Sequence, residues 1–198
     1  MQKKIPEPLV AVFFGLTGSG KSYLAVRWAA RHGLEYLNSD QIRKELGGVA
    51  PESRHHVAFN QGLYSPEMTR RTYDAMVDLA TRCCSRPGAS GVVLDGSYGK
   101  RGQRDQVVER FAGASRIIFI YCYCAESVTR HRFTLRAEDD RAVSDGRWEI
   151  YVGQKRIFEV PEEVAGAHFA AIDTDKPVAA LIEEVDQAIQ SNWPDTGR

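Results

Sequence analysis

Eight residues near the N-terminus have the types and spacing that bind a chain of phosphates. The segment GLTGSGKS, from Gly15 to Ser22, matches the pattern G-x-x-x-x-G-K-[ST] at every fixed position. In such a loop, backbone N–H groups and the N-terminus of the next helix converge on one partly positive point. A di- or triphosphate suits that point, so the expected ligand is ATP or another nucleoside triphosphate. The predicted nucleotide-binding residues are Gly15, Thr17, Gly18, Ser19, Gly20, Lys21 and Ser22.

Two of these residues and one later carboxylate are predicted to act on the phosphates through charge and Mg²⁺. Lys21 should reach the β- and γ-phosphates, and the Ser22 hydroxyl should bind Mg²⁺. Asp95 ends the apolar run VVLD, the pattern of a buried strand that delivers one acid to the metal. The alternative is that Asp95 forms a turn before Gly96. Ser22 and Asp95 are therefore the predicted metal residues.

Asp40 is the candidate general base. It follows a short predicted strand directly, and a kinase needs a carboxylate near the attacking hydroxyl. The alternative is a helix N-cap, which Asp favours, or a shared role in which Ser39 is the cap. Arg43 lies about one helical turn further and could hold an anionic or polyhydroxylated substrate; otherwise it is a solvated surface residue. The predicted substrate-binding residues are Asp40, Arg43 and Arg104.

Arg132 and Arg136 are predicted to neutralise charge on the transferring phosphoryl group, with Arg130 as a substitute. They stand four residues apart on one predicted helix and so share a face. An acidic stretch without an apolar anchor follows, which is typical of a mobile lid at about residues 130–145. The alternative is a solvated helix whose arginines pair with that acidic stretch.

These side chains need a scaffold, and the sequence predicts alternating strands and helices to supply it. The predicted strands are Leu9–Gly15, Glu35–Asn38, Val92–Asp95, Ile117–Cys122 and His168–Ile172. The predicted helices are Lys21–His32, Asp40–Leu46, a long one capped by Ser65, Arg101–Ala112, Glu126–Arg136, one capped by Ser144, and Pro177–Ile189. This order favours an α/β fold with a five-stranded parallel sheet and helices on both faces. The charged loops after the strands then meet at the carboxyl edge of the sheet.

Composition limits the class of protein. The chain has 198 residues, is 43% hydrophobic and carries no formal net charge, as expected for one compact domain. The zero net charge argues against a large basic surface for binding nucleic acid, although not against a local basic groove. No apolar run has membrane-spanning length, and the N-terminus is too short and polar for a secretory signal, so we expect a cytoplasmic protein. The cysteines at 83, 84, 122 and 124 are expected to be small apolar residues rather than metal ligands.

The motifs together resemble the small P-loop kinases of the gluconate kinase and polynucleotide kinase type. The resemblance is carried by GLTGSGKS, LNSDQIRKEL, VVLDGSY with the basic residues at 100, 101 and 104, and CAESVTRHRFTLR. The segment SDGRWEIYVGQKRIFEVP is most similar to a kinase-like ATP-binding domain that bacteria often fuse behind an aminoglycoside-phosphotransferase-like domain. The resemblance spans nearly the whole chain, from Leu9 to about Ile189.

This resemblance implies a three-layer P-loop NTPase fold with the sheet order 2-3-1-4-5. It implies that Asp40 matches the base of polynucleotide kinases and that Arg43 matches their substrate arginine. Arg132 and Arg136 then match the paired lid arginines of gluconate kinases.

The predicted function is that of an ATP- and Mg²⁺-dependent kinase acting on a hydroxyl of a small polar molecule. One alternative is a polynucleotide 5′-hydroxyl kinase, with a groove formed by Arg54, His55, His56, Phe59 and Tyr64. The other is a nucleotide-binding switch or regulatory ATPase without a phosphoryl acceptor. Residues 47–64 are expected to shape the acceptor site, and the oligomeric state stays open.

Overall fold

In the computed structural model, helices alternate with five parallel strands along the chain. The structure describes residues 7–50, 62–138, 148–161, 164 and 166–194, without the side chains of residues 136–138. The strands are β1 (Leu9–Phe14), β2 (Glu35–Asn38), β3 (Gly91–Gly96), β4 (Arg116–Tyr123) and β5 (His168–Asp173). The helices are α1 (Lys21–His32), α2 (Ser39–Leu46), α3 (Pro66–Cys84), α4 (Arg101–Phe111), α5 (Glu126–Glu138), α6 (Trp148–Ile157) and α7 (Val178–Asn192).

The strand order is β2-β3-β1-β4-β5, which confirms the predicted order 2-3-1-4-5. The central strand β1 pairs with β3 on one side and β4 on the other, and all six of its residues are buried. Full burial on both faces explains why β1 is an unbroken apolar run. The register places Phe14 opposite Gly96 and Asn38 opposite Asp95, so β1, β2 and β3 end at one edge.

Two apolar clusters cover the two faces of the sheet and form the three-layer arrangement. Val10, Val12 and Phe14 belong to a cluster that includes residues of α2, α3 and α4. Leu9, Ala11 and Phe13 belong to the other, with residues of α1 and α7. Alternate residues of one strand therefore anchor opposite layers, which fixes the edge where β1 ends.

Several predicted boundaries differ from the structure by one to three residues. The long helix α3 begins as predicted, since the Ser65 hydroxyl accepts a hydrogen bond from the Met68 amide and Pro66 is in the first turn. In the predicted loop 49–64, Gly62–Tyr64 forms a short 3-10 turn, and residues 51–61 lie outside the described residues. The predicted cap Ser144 and most of the predicted lid beyond residue 138 also lie outside them.

The cysteines form no disulfide, and two of them, Cys83 and Cys122, are buried. Burial raises the pKa of the Cys122 thiol. Within the described segments, no group of three His, Cys, Asp or Glu residues is arranged to hold a metal ion. In the same segments, no helix has both the length and the hydropathy of a membrane span.

Candidate active site

The predicted phosphate-binding residues form the turn that joins β1 to α1. Gly15 and Gly18 have φ angles of 144° and 80°, in the left-handed region that favours glycine. A Cβ at Gly15 would collide with the carbonyl oxygen of Cys122, and one at Gly18 would lie 2.7 Å from the Thr129 methyl group. Helix α1 begins after Gly20 without a side-chain cap. Its first N–H groups therefore face the loop as an anion site would require.

The cation and hydroxyl groups of the motif lie at this same turn. The Lys21 ammonium is 3.4 Å from the Leu16 carbonyl oxygen, so the side chain is folded back across the loop. Ser22 is partly buried in the first turn of α1. The Ser19 hydroxyl is buried and has no hydrogen-bond partner in the described segments of the chain. The loop thus has the charge and the hydroxyl groups that a phosphate–Mg²⁺ ligand needs.

Arg132 is anchored on the phosphate loop. One guanidinium nitrogen donates to the Gly18 carbonyl at 3.2 Å, and the other donates to the Thr174 carbonyl at 2.8 Å. The Thr174 hydroxyl in turn donates to the Ser19 carbonyl at 2.5 Å. Arg132 therefore links α5 and the end of β5 to the loop, which the sequence did not predict. Arg136 lies on the same helix, and its side chain is outside the described part of the chain.

Gln154 of α6 contacts the loop from the other direction. Its side-chain oxygen accepts a hydrogen bond from the Thr17 amide at 2.9 Å. The two residues are 137 positions apart, so no local pattern could indicate this contact. Its only sequence signal is that Gln154 falls within the segment SDGRWEIYVGQKRIFEVP.

Asp95 is fully buried at the end of β3 and has an asymmetric set of partners. Its Oδ2 accepts hydrogen bonds from the Tyr36 hydroxyl and from the side-chain NH₂ group of Asn38, both at 2.6 Å. Its Oδ1 has no hydrogen-bond partner among the residues that the structure describes. Burial, followed by the Asp95 charge, raises the pKa of Tyr36 and keeps this phenol a donor.

The residues present fit a magnesium ion. Mg²⁺ prefers oxygen ligands, often one or two carboxylates with water and phosphate oxygens. The unpartnered Oδ1 of Asp95 is such an oxygen, on the strand next to β1 and the loop. The Ser22 hydroxyl is the second oxygen in the predicted pair. Asp95 is not a turn former here, because it lies within β3 rather than after it.

Asp40 is in the first turn of α2, but it is not the helix cap. The cap is Asn38, whose side-chain oxygen accepts from the Asp40 and Gln41 amides at 2.9 and 3.1 Å. The alternatives in which Asp40 or Ser39 caps this helix are therefore wrong. The Asp40 carboxylate accepts from the Tyr64 hydroxyl at 2.8 Å and lies 3.6 Å from the Lys44 ammonium.

Arg43 is buried, not solvated, and lies on the wall of a large cavity. It is 7% exposed, donates to the Leu63 carbonyl and the Thr69 hydroxyl at 3.0 and 3.1 Å, and lies over the Tyr64 ring. The cavity has a volume of about 670 Å³ between α3, the β3–α4 loop and α6. Gln154 and Tyr64 also line it. The cavity therefore adjoins the phosphate loop through Gln154 and Asp40 through Tyr64.

Arg104, unlike Arg43, does not line the cavity. It is 4% exposed, donates to the Tyr98 carbonyl at 2.7 Å and lies over the Phe14 ring. Burial lowers the pKa of its guanidinium. Tyr98 has a φ of 39°, rare for a non-glycine residue, so Arg104 supports a strained turn in the loop after β3. The structure places Arg104 in the core, apart from the side chains that line the cavity.

Solved structures share this fold. A sugar kinase from Janibacter sp. HTCC2649 superposes with a TM-score of 0.68 at 20% identity, over 93% of this chain and 95% of that one. The APS kinase CysC of Mycobacterium tuberculosis, in complex with AMPPNP and APS, gives 0.63 at 18% identity over 93% and 99%. Kti12 of Chaetomium thermophilum, in complex with ADP-AlF3, gives 0.62 at 19% identity over 92% and 99%. At these identities the likeness establishes the fold.

The sequence itself matches one family model. No curated protein sequence matches the chain. The model AAA_33, described as an AAA domain, matches residues 10–161. This range begins in β1, includes the phosphate loop and ends just after α6, so it contains the whole candidate site described above except Thr174. The chain belongs to the AAA_33 family of P-loop AAA domains.

Proposed function

We propose that this chain is an ATP- and Mg²⁺-dependent kinase that transfers the terminal phosphoryl group of ATP to a hydroxyl of a small molecule. The proposal depends mainly on the position of Gln154. Its side chain accepts a hydrogen bond from the Thr17 backbone amide and also lines the 670 Å³ cavity. One side chain thus joins the phosphate loop to a space that can hold an acceptor. The kinases among the similar structures support the same class.

In this proposal the phosphate loop binds ATP and Lys21 offsets charge on the transferring group. Ser22 and Asp95 would hold Mg²⁺, which supplies positive charge against the β- and γ-phosphates. The acceptor oxygen bonds to the γ-phosphorus while the bond from that phosphorus to the β–γ bridging oxygen breaks. The products are ADP and a phosphate ester.

Asp40 is the proposed proton acceptor for the attacking hydroxyl. Tyr64 supports this role, because it donates to Asp40 and also lines the cavity. Arg43, on the next turn of α2, is the proposed donor to a polar group of the acceptor. Arg132 and Arg136 are proposed to offset transition-state charge, and the contact between Arg132 and Gly18 supports a position next to the phosphates. Arg104, predicted from the sequence to bind substrate, is not included among the proposed substrate-binding residues. Its proposed role is to support the loop after β3.

The experiment is phosphate transfer from γ-labelled ATP to a panel of small alcohols, sugars and 5′-hydroxyl oligonucleotides. The expected result is labelled product from a small alcohol, absent with Lys21→Ala and retained with Arg31→Ala. Arg31 is an exposed residue of the same helix and is the matched control. Labelled oligonucleotide alone would identify a polynucleotide kinase instead. Tight ATP binding without transfer to any acceptor would favour the regulatory nucleotide-binding module.

A further inference from the structure

We propose that the cavity takes an amphipathic alcohol, a hydroxyl compound with an apolar ring or branched hydrocarbon body, in preference to a sugar-like polyol. This inference rests on the proposed function, since it specifies the acceptor of the same site. It follows from a difference between the two walls of the cavity.

The wall formed by α6 is largely apolar. Ile150, Ile157 and the following Phe158 line the cavity from this side, and Pro66 lines it from the start of α3. Ile157 is 43% exposed although it is a large aliphatic residue. An apolar surface left in water at a cavity wall gains free energy when a hydrocarbon covers it. A polyol would instead lose hydrogen bonds to water against these side chains.

The opposite wall is polar, and several of its polar groups already have hydrogen-bond or ion-pair partners. Asp74 accepts from Arg70 at 3.1 Å and from Gln106 at 2.8 Å. The Lys100 ammonium lies 3.2 Å from a Glu159 oxygen, and the Lys100 amide donates to Gln103 at 3.1 Å. These pairs are at least partly exposed, so exchanging them or their hydrating water for the hydroxyls of a polyol gains little free energy. The wall therefore suits a ligand with few polar groups.

Two further polar side chains of the cavity, Gln154 and Arg43, define where the few polar groups of such a ligand bind. Gln154 uses its side-chain oxygen on Thr17, so its NH₂ group is the donor beside the phosphate loop. Arg43 is buried, and neither of its two hydrogen-bond acceptors is a carboxylate. A hydroxyl near Gln154 and one polar group near Arg43 leave the body of the ligand against α6. The cavity volume of about 670 Å³ lies within the range of about 300–1,000 Å³ that holds drug-sized ligands.

The test compares two probe sets by ligand-observed NMR and by transfer of labelled phosphate. One set is 2-phenylethanol, cyclohexylmethanol and 2-phenylcyclohexanol; the other is glycerol, glucose and gluconate. The wild type is compared with Ile157→Gln and with Leu135→Gln. Leu135 is also an exposed aliphatic helix residue, 52% exposed, and it does not line the cavity. Gln is a good helix former, so both variants should fold, which thermal melts verify.

The expected result is that the first set binds at least about tenfold more tightly than the second, and that Ile157→Gln removes about tenfold of this affinity. Leu135→Gln should change it by less than about twofold, and neither variant should change ATP affinity. Phosphate transfer to the polyols alone would overturn the inference and leave the kinase proposal standing. Binding of the first set without any transfer would support the inference and contradict the kinase proposal. Failure of both sets to bind, with ATP affinity intact, would assign the apolar wall to packing within the chain and overturn the inference.

Discussion

Replacing Asp95 with Asn separates the metal role of this carboxylate from its structural role. Oδ2 accepts two hydrogen bonds at 2.6 Å, and within the described part of the chain Oδ1 has no hydrogen-bond partner. The Asn carbonyl can take the place of Oδ2 and keep both bonds, which leaves the NH₂ group at the unpartnered position. The variant therefore keeps the network and loses only the charge and one metal-facing oxygen.

The effect on stability should be small. A hydrogen bond to a charged group contributes about 1 kcal/mol more than one between neutral groups, so two weakened bonds cost about 2 kcal/mol. Removing a fully buried charge acts in the opposite direction, since desolvating an ion costs several kcal/mol. We expect the free energy of unfolding to change by at most about 2 kcal/mol, or up to about 8 °C in Tm. Asp95→Ala should cost about 2–6 kcal/mol, because the Tyr36 hydroxyl and the Asn38 amide both lose their acceptor.

The effect on Mg²⁺ should be large. Loss of a group that holds or orients a metal ion typically costs about 10–100-fold in metal affinity. Binding of a fluorescent ATP analogue, titrated against Mg²⁺, measures this without knowledge of the acceptor. Asp95→Asn should raise the Mg²⁺ concentration at half-saturation by that factor, whereas Asp105→Asn, in an exposed ion pair, should not. A folded Asp95→Asn protein with wild-type Mg²⁺ dependence would refute the metal assignment.

The phenol beside Asp95 provides a second readout of the same variant. The Asp95 charge and its hydrogen bond both raise the pKa of Tyr36, after burial as the larger cause. In Asp95→Asn the pKa of Tyr36 should therefore fall, while burial keeps it above the ordinary tyrosine value. ¹³C NMR of the Tyr36 phenolic carbon at neutral pH, assigned with Tyr36→Phe, follows this hydrogen bond, and a chemical shift unchanged in Asp95→Asn would contradict the assigned contact.

Substitutions at four further residues test the other parts of the site. Lys21→Ala should abolish phosphate transfer with an unchanged Tm, because its ammonium serves the phosphates rather than the core; wild-type turnover would contradict the assignment. Arg132→Ala should lower turnover about 10³-fold and also weaken ATP binding by about tenfold, because Gly18 loses its donor; Arg31→Ala, at an exposed arginine of α1, is the control, and wild-type turnover and ATP affinity in Arg132→Ala would exclude this role. Asp40→Asn should greatly reduce acceptor phosphorylation; the amide oxygen can still accept from Tyr64, but the buried Lys44 ammonium loses the Asp40 charge, so Tm should also fall, and full activity would make Asp40 structural. Gln154→Leu should reduce transfer by about tenfold or more, with ATP affinity within about threefold of the wild type, because it misplaces the loop relative to the acceptor. An ATP affinity that falls as much as the turnover in Gln154→Leu would argue against this positioning role.

The strands and the phosphate loop were predictable because their signals are local. Burial on both faces makes β1 and β4 apolar runs, and the loop's backbone angles require glycines at fixed positions. The sheet order, in contrast, came from the resemblance rather than from any run of residues. The sequence also placed Asp95 and Asp40 correctly at strand ends, since such positions follow from where each apolar run stops.

The partners of these side chains could not be predicted in the same way. Asn38, Ser39 and Asp40 are all favoured N-caps, so residue type alone could not choose among them. The register of β2 against β3 decides, because it sets Asn38 opposite Asp95 and directs its amide to that carboxylate. Likewise, residue type could not show that Arg104 is buried or that Arg132 is anchored on Gly18.

Asn38 and Gln154 hold the site together from its two sides. The Asn38 side chain donates to Asp95 and accepts from the Asp40 amide, so one residue fixes the metal-side carboxylate relative to the candidate base. Gln154 fixes the phosphate loop relative to the cavity. Asn38 donates and accepts at once, Gln154 accepts from Thr17, and each joins elements distant in sequence. The phosphate loop is therefore a local motif of the sequence. The cavity proposed for the phosphoryl acceptor, in contrast, exists only when α2, α3 and α6 are assembled around it. For this reason the sequence predicts nucleotide binding from one octapeptide, whereas the proposed acceptor can be inferred only from the geometry of the cavity.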